Sequence, residues 1–461
     1  VTRLSAAHLP QGLAQPGYDR TGRQVGIVHF GLGAFTRAHQ AWYTDRAMAA
    51  AGGDWLTLGV SLRSPEVGAQ LNPQDGLYTL AERSGAGTRR QVIGAVTEVV
   101  LATADRARVV AALAAPSTHV VTFTVTEKGY CRQPDGALDL ALAEQGFYPL
   151  LAEALGQRRA AGQGGLTLLS CDNLADNGHQ LRRLLGDYLA ARDPGLGAWT
   201  GQTCTFPCSM VDRIVPATTP EDRAEAAAAL GVEDRGLVVT EPFSQWVIED
   251  AFAGPRPAWD LVGAEIVGAV APYETAKLRM LNGAHSALAY CGLLAGHSFV
   301  HEAVGDPLLR PLVEGLMREE ALPTIAAAPG QDLSAYADAL LDRFANPALN
   351  HKLNQIAMDG SQKIPQRWLA TLAAHQASGR CCPALLTAVA AWLRHVRGDN
   401  AARWGAVDDP RAAELAAAWA AHGAEGIVAA VFGPEGLLAS DWHPSADDHA
   451  VIAEALAVSP T

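Results

Sequence analysis

The run VGIVHFGLGAF, residues 25–35, restricts the fold more than any other stretch of the chain. It is compact and apolar, ends in Gly31-x-Gly33 and passes into the helix-like AHQAWYTDRAMAA. A strand that turns on glycines into a helix directs backbone N–H groups and a helix N-terminus at one point, a geometry that holds a pyrophosphate. The third glycine of the usual fingerprint is missing, and Ala34 and Phe35 follow instead, so the motif alone reads equally well as a tight structural turn. Position favours the nucleotide reading. The run opens a series of strand-like segments at 55–62, 90–100, 119–126 and 165–173, several separated by Ala/Leu-rich helical stretches. That rhythm implies an α/β fold with a mostly parallel, doubly wound sheet.

From Pro272 onward the period becomes helical, over 273–296, 301–321, 332–345, 367–378, 382–397, 410–422 and 447–457. A chain of 461 residues exceeds what one core usually organises. Two domains are therefore expected, 1–270 and a mostly α-helical 271–461. A net charge of −13 argues against nucleic-acid or anionic-membrane partners. The seven cysteines are odd in number and scattered, which fits free thiols in a reducing compartment. Cys204-x3-Cys208 lacks a second Cys/His pair at a suitable spacing, so no metal site is expected. The N-terminus shows no signal pattern, and no uncharged apolar run reaches about 18 residues; the expected location is the cytoplasm.

Polar residues after apolar strands mark where open α/β sheets build sites. In LLSCDNLADNG, Asn173 is a candidate donor to a substrate oxygen, against the plainer reading of an Asx turn or helix cap. SMVDRIVP raises Asp212, with an Asp212–Arg213 ion pair as the alternative. After the second strand comes Glu66, either a ribose ligand or a solvated loop charge, which leaves NAD against NADP open. The stretch KLRMLNGAH, 277–285, carries the most chemistry. On an α-helical wheel with Lys277 at zero, His285 falls near about 80°, Asn282 near about 140° and Arg279 near about 200°. A desolvated lysine can act as a base near neutrality, while amide and imidazole N–H groups can stabilise an alkoxide. These are the parts needed to oxidise a secondary alcohol without a metal. Taken singly, each is as readily a snorkelling lysine or a core histidine.

The blocks GLGAFTRAHQAWYTD, QDGLYTL, TVTEKGY, SCDNLADNGH, PCSMVDRIVPATTP, EPFSQWVIED, KLRMLNGAH and MDGSQKIPQR resemble the polyol-specific long-chain dehydrogenases. The resemblance runs from about residue 25 to residue 370 and implies a Rossmann-type N-terminal domain, a helical C-terminal domain and zinc-independent hydride transfer with NAD. It implies that Lys277 is the acid–base residue, Asn173 and Asn282 the oxyanion donors and His285 the substrate-orienting group, around a substrate held between the domains. Asp212 and Lys363 match further substrate positions. Gly31, Gly33, Ala34, Phe35, Arg37 and Glu66 are the expected cofactor contacts. Thr36 departs from the pattern, since many relatives carry histidine there. Lys128, Arg279 and Gln355 depart from the mannitol branch and resemble the fructuronate branch, which must hold a carboxylate. Lys128 and Arg367 are its candidate partners. The expected substrate is a sugar acid such as D-mannonate/D-fructuronate, with a neutral polyol as the alternative. A nucleotide-sensing protein without turnover is the competing reading of another class.

Overall fold

The computed structural model describes residues 2–457. It divides into two compact units, one ending at Val270 and the next beginning at Ala271.

The first unit holds eleven strands: β1 (Val25–Phe30), β2 (Leu56–Ser61), β3 (Tyr78–Ser84), β4 (Gly87–Ile93), β5 (Val96–Leu101), β6 (Val120–Phe123), β7 (Thr167–Ser170), β8 (Ser209–Asp212), β9 (Val238–Thr240), β10 (Gln245–Glu249) and β11 (Glu265–Val267). Five form the main sheet in the order β5-β2-β1-β6-β7, every neighbour parallel. Its central strands are apolar almost throughout because helices cover both faces. The chain builds outward from β1 in one direction through β2 and β5, then returns to add β6 and β7 on the other side. The order reverses between β1 and β6, and the carboxyl ends of those strands form the crevice where such sheets bind ligands.

Two three-stranded sheets, β11-β10-β8 and β4-β3-β9, were not expected from the sequence. The segment 90–100, read as one strand, is two. The Gly94 N–H leaves the ladder to donate to the buried Asp45 carboxylate at 2.8 Å. The chain bends there, so β4 pairs antiparallel with β3 while β5 joins the parallel sheet. Asp45 sits in surroundings that raise its pKa to about 6, chiefly by burial.

The second unit is helical around one large apolar core that includes Trp368, Trp392 and Trp442. Three of its turns are π-helical, at Lys277–Asn282, Leu316–Ala321 and Pro365–Leu369. The expected helix 410–422 extends to Phe432, but Gly423 takes a non-helical conformation (φ 56°, ψ −166°) and breaks it. By length and composition alone Ala412–Phe432 could cross a membrane. Here Leu415, Ile427, Val428, Val431 and Phe432 are buried in the core of the unit.

Candidate active site

At the switch point, Gly31 has φ +85°, a conformation that favours glycine. A Cβ on it would lie 2.2 Å from the Thr124 carbonyl oxygen, so only glycine lets β1 and β6 end this close together. Gly33 starts the following helix with no side chain capping it, which leaves its first N–H groups directed at the crevice. Beneath the loop lies His29, fully buried and hydrogen-bonded to Thr122 Oγ1 (2.7 Å), Thr124 Oγ1 (2.8 Å) and Thr36 Oγ1 (2.8 Å). Burial holds this imidazole neutral, pushing its pKa down to about 3. Thr36 is therefore a hydroxyl brace for the loop, which accounts for the departure at that position.

Arg37 follows in the same loop-to-helix segment. It is buried, and its guanidinium donates to Gly33 O (3.1 Å) and Gly236 O (2.6 Å), so it supports the loop by gripping its backbone. Phe35 is half-buried and stacks on His39 at 5.1 Å, and Ala34 is also half-buried at the helix start. Glu66 is exposed in the first turn of the helix after β2, where it accepts a long 3.4 Å bond from Gln70.

Asn173 is exposed just beyond β7, and Lys128 is exposed in the turn after the adjacent β6. Asp172 joins the two turns. Its carboxylate accepts from Val125 N (3.1 Å), Thr126 N (2.8 Å) and the Tyr130 hydroxyl (2.9 Å). Asp212 is buried at the end of β8, opposite Gln245. The adjacent Arg213 forms a salt bridge with Glu82 at 2.6 Å.

In the second unit the α-helical wheel was the wrong ruler. Lys277–Asn282 is a π turn, and the Gly283 N–H bonds back five residues to Leu278 O. Such a turn adds one residue to an α-helix. Asn282 then occupies the place of a fourth residue and His285 that of a seventh, both on the Lys277 stripe. The arc holding the three narrows from about 140° to about 60°. Arg279 points elsewhere and donates to Thr324 O (2.9 Å) and Oγ1 (2.7 Å), an anchoring role.

His285 is buried against Phe344 and His351, with ring centroids 4.6 and 5.3 Å away. Burial first, then the nearby His351, Arg343 and Arg367, hold its pKa well below the ordinary value, so the ring is neutral. Its Nε2 is buried with no hydrogen-bond partner among the described residues, and so is His351 Nδ1. Arg367, in the π turn Pro365–Leu369, donates to Ser286 Oγ (2.7 Å) and the Asn282 carbonyl (3.4 Å). Burial pushes its pKa down to about 10. Lys363, one turn earlier, donates to Met358 O at 2.5 Å, and burial followed by Arg367 lowers its pKa.

Residues 25–261 match the family model described as Mannitol dehydrogenase Rossmann domain, and 269–444 match Mannitol dehydrogenase C-terminal domain. The chain belongs to the mannitol dehydrogenase family. It is 41% identical to a D-mannonate oxidoreductase of Escherichia coli over 97% of this chain and 95% of that protein. It is 40% identical to a mannitol 2-dehydrogenase of Pyrenophora tritici-repentis, over 91% of this chain and 77% of that one. A solved mannitol 2-dehydrogenase of Pseudomonas fluorescens, in ternary complex with NAD and D-mannitol, is 35% identical with a TM-score of 0.81, covering 99% of this chain and 96% of that one.

In this member of the mannitol dehydrogenase family, Gly31, Gly33, Lys128 and Asn173 all follow strand ends of the main sheet. Lys277, Asn282, His285, Lys363 and Arg367 gather in the second unit. Arg343, His351 and Ser286 were not anticipated. Arg343 and His351 come from segments far from KLRMLNGAH in sequence, and no local pattern marks them.

Proposed function

We propose that the protein is an NAD(H)-dependent, zinc-independent oxidoreductase that interconverts a secondary alcohol and a ketone on a linear sugar acid, D-mannonate/D-fructuronate. The glycine crevice between β1 and β6 fits a dinucleotide, since Gly31 admits the close backbone approach that a Cβ would block. A nicotinamide held there would supply the hydride acceptor for oxidation and the hydride donor for reduction. Lys277 takes the proton from the alcohol oxygen in oxidation and gives it back in reduction. Asn173 and Asn282 donate amide N–H groups to the charge developing on that oxygen. Neutral His285, with its unpartnered buried Nε2, orients a substrate hydroxyl.

One observation carries the sugar-acid reading. Arg367 is a desolvated guanidinium beside Asn282 and His285, and both its hydrogen bonds go to neutral oxygens. Among the described residues no carboxylate pairs with it, so a substrate carboxylate supplies the missing charge. Lys128, exposed past β6, is a second cation for the same role. The neutral-polyol reading draws support from the similarity to mannitol 2-dehydrogenases.

The test is NADH oxidation at neutral pH with EDTA, comparing D-fructuronate with D-fructose and repeating both with NADPH. Preference for fructuronate is expected. Preference for fructose would assign the protein to the neutral-polyol branch. NADH binding without turnover of either would revive the sensing role.

A further inference from the structure

The cysteine pattern hides a cluster that folding assembles. Asp176, His179 and Cys208 bring one carboxylate oxygen, one imidazole nitrogen and one thiol sulfur within 4.8 Å of one another. Asp176 Oδ1 is 2.5 Å from His179 Nδ1, while Cys208 Sγ is 3.6 Å from Asp176 Oδ1 and 3.8 Å from His179 Nδ1. In a tetrahedral zinc site with Zn–S about 2.3 Å and Zn–N/O about 2.0–2.1 Å, the sulfur edges measure about 3.6 Å and the nitrogen–oxygen edge about 3.3 Å. Both sulfur edges are already near that length. Only the Asp176–His179 edge must open, by less than about 1 Å.

The frame holding these donors is built independently of them. Asn177 stitches the start of helix Asn177–Arg192 to the next segment, donating to Ser209 O (2.8 Å) and accepting from Ser209 N (3.0 Å). Gly178 lets the helix approach closely, since a Cβ there would lie 2.4 Å from Phe206 O and 2.5 Å from Pro207 O. Glu249 accepts the Cys208 N–H at 2.9 Å. Cys208 is buried at 4% exposure with its sulfur facing the other two donors, while Asp176 and His179 are open to solvent and give a path of entry.

We propose that Asp176, His179 and Cys208 bind a zinc-class divalent cation, with the fourth position open, and that this cation slows turnover through the turn that carries Asn173. Thiolate and imidazole select zinc-like ions over magnesium or calcium. On binding, the thiol proton leaves to solvent, the proton that His179 Nδ1 shares with Asp176 is exchanged through solvent for one on Nε2, and the sulfur, the freed Nδ1 and the Asp176 carboxylate each form a bond to the metal. A thiol must lose its proton to ligate, so binding competes with protons and weakens as pH falls. Asp176 closes the loop that follows Asn173, with Ala175 and Asp176 in a turn, so a cation holding Asp176 constrains the backbone that presents Asn173.

The experiment is a cobalt(II) titration of the chelator-treated full chain, with Cys208→Ser and His179→Ala alongside and NADH oxidation read in the same samples. Wild type should show a thiolate-to-cobalt charge-transfer band that saturates at one equivalent and is displaced by zinc. Its rate should fall in step with occupancy and recover with EDTA. Cys208→Ser should lose the band, and His179→Ala, at an exposed position, should weaken binding by more than about tenfold. Both variants should keep their metal-free rate. No band, or a band unchanged in both variants, overturns the site. A saturating band with an unaltered rate overturns the link to Asn173, a link that rests on the role proposed for that residue; the optical titration does not.

Discussion

Replacing Arg367 with glutamine tests the substrate reading most directly, because it removes the charge and keeps a donor near Ser286. A hydrogen bond to a charged partner contributes about 1.5–3 kcal/mol, more than a neutral one. Arg367 is largely desolvated, so solvent screens the contact little. At about 1.36 kcal/mol per factor of ten, kcat/KM for fructuronate should fall about 10- to 150-fold. Fructose has no carboxylate and should lose only the part due to scaffolding, since Arg367 also holds Ser286 Oγ and the Asn282 carbonyl. The measurement is steady-state NADH oxidation of both substrates by both proteins, expressed as the ratio of the two losses. A ratio near one would mean that Arg367 only supports the π turn, and the carboxylate would have to be sought at Lys128.

Lys277→Ala should lower kcat by about 10²- to 10⁴-fold while NADH binding, followed by fluorescence, stays intact; a wild-type kcat would remove the base assignment. Gly31→Ala should abolish cofactor binding and lower Tm, because the new Cβ meets the Thr124 carbonyl at 2.2 Å and the backbone sits at φ +85°; unchanged NADH affinity would refute the close-approach argument. His29 has a folded pKa of about 3 against 6.5 unfolded, so the unfolded state takes up the proton first. Its contribution is complete above about pH 7.5 and is lost as pH falls toward 3, by about 1.6 kcal/mol between 6.5 and 5. Urea unfolding at both pH values should show that loss in wild type and not in His29→Asn, and parallel behaviour would contradict it.

Much of the architecture was legible because it is written in local periods. The apolar run 25–30, the glycines after it and the helical second half each appear where their spacing suggested. In the small sheets β8, β9 and β11 are only three or four residues long, and β3 pairs with β9 across most of the unit; the local β3–β4 hairpin was passed over because Gly87–Ile93 was read as part of one strand with β5. The candidate site was drawn from residue types and family pattern, and its geometry was not legible in either. A wheel presumes 3.6 residues per turn, and the π turn at 277–282 breaks that presumption where the proposed catalytic residues lie. Arg37 sits in the expected loop, yet its buried bond to Gly236 depends on a segment that local pattern cannot connect to it. The same limit hid the approach of His179 to Cys208.

The wide turn also separates two kinds of constraint along one helix. Every residue from Gly283 to Leu293 is buried, so that segment is locked in rotation by its neighbours. If the turn closed to ordinary α geometry with all its residues kept, the locked segment would stay in place and Lys277 would swing by about 100° and 1.5 Å. The fold would survive that change, and Lys277 would leave the stripe on which the proposed chemistry depends. A relative one residue short within 277–282 would instead keep the same facing on a plain α-helix, since the wide turn holds one residue more than the α spacing needs.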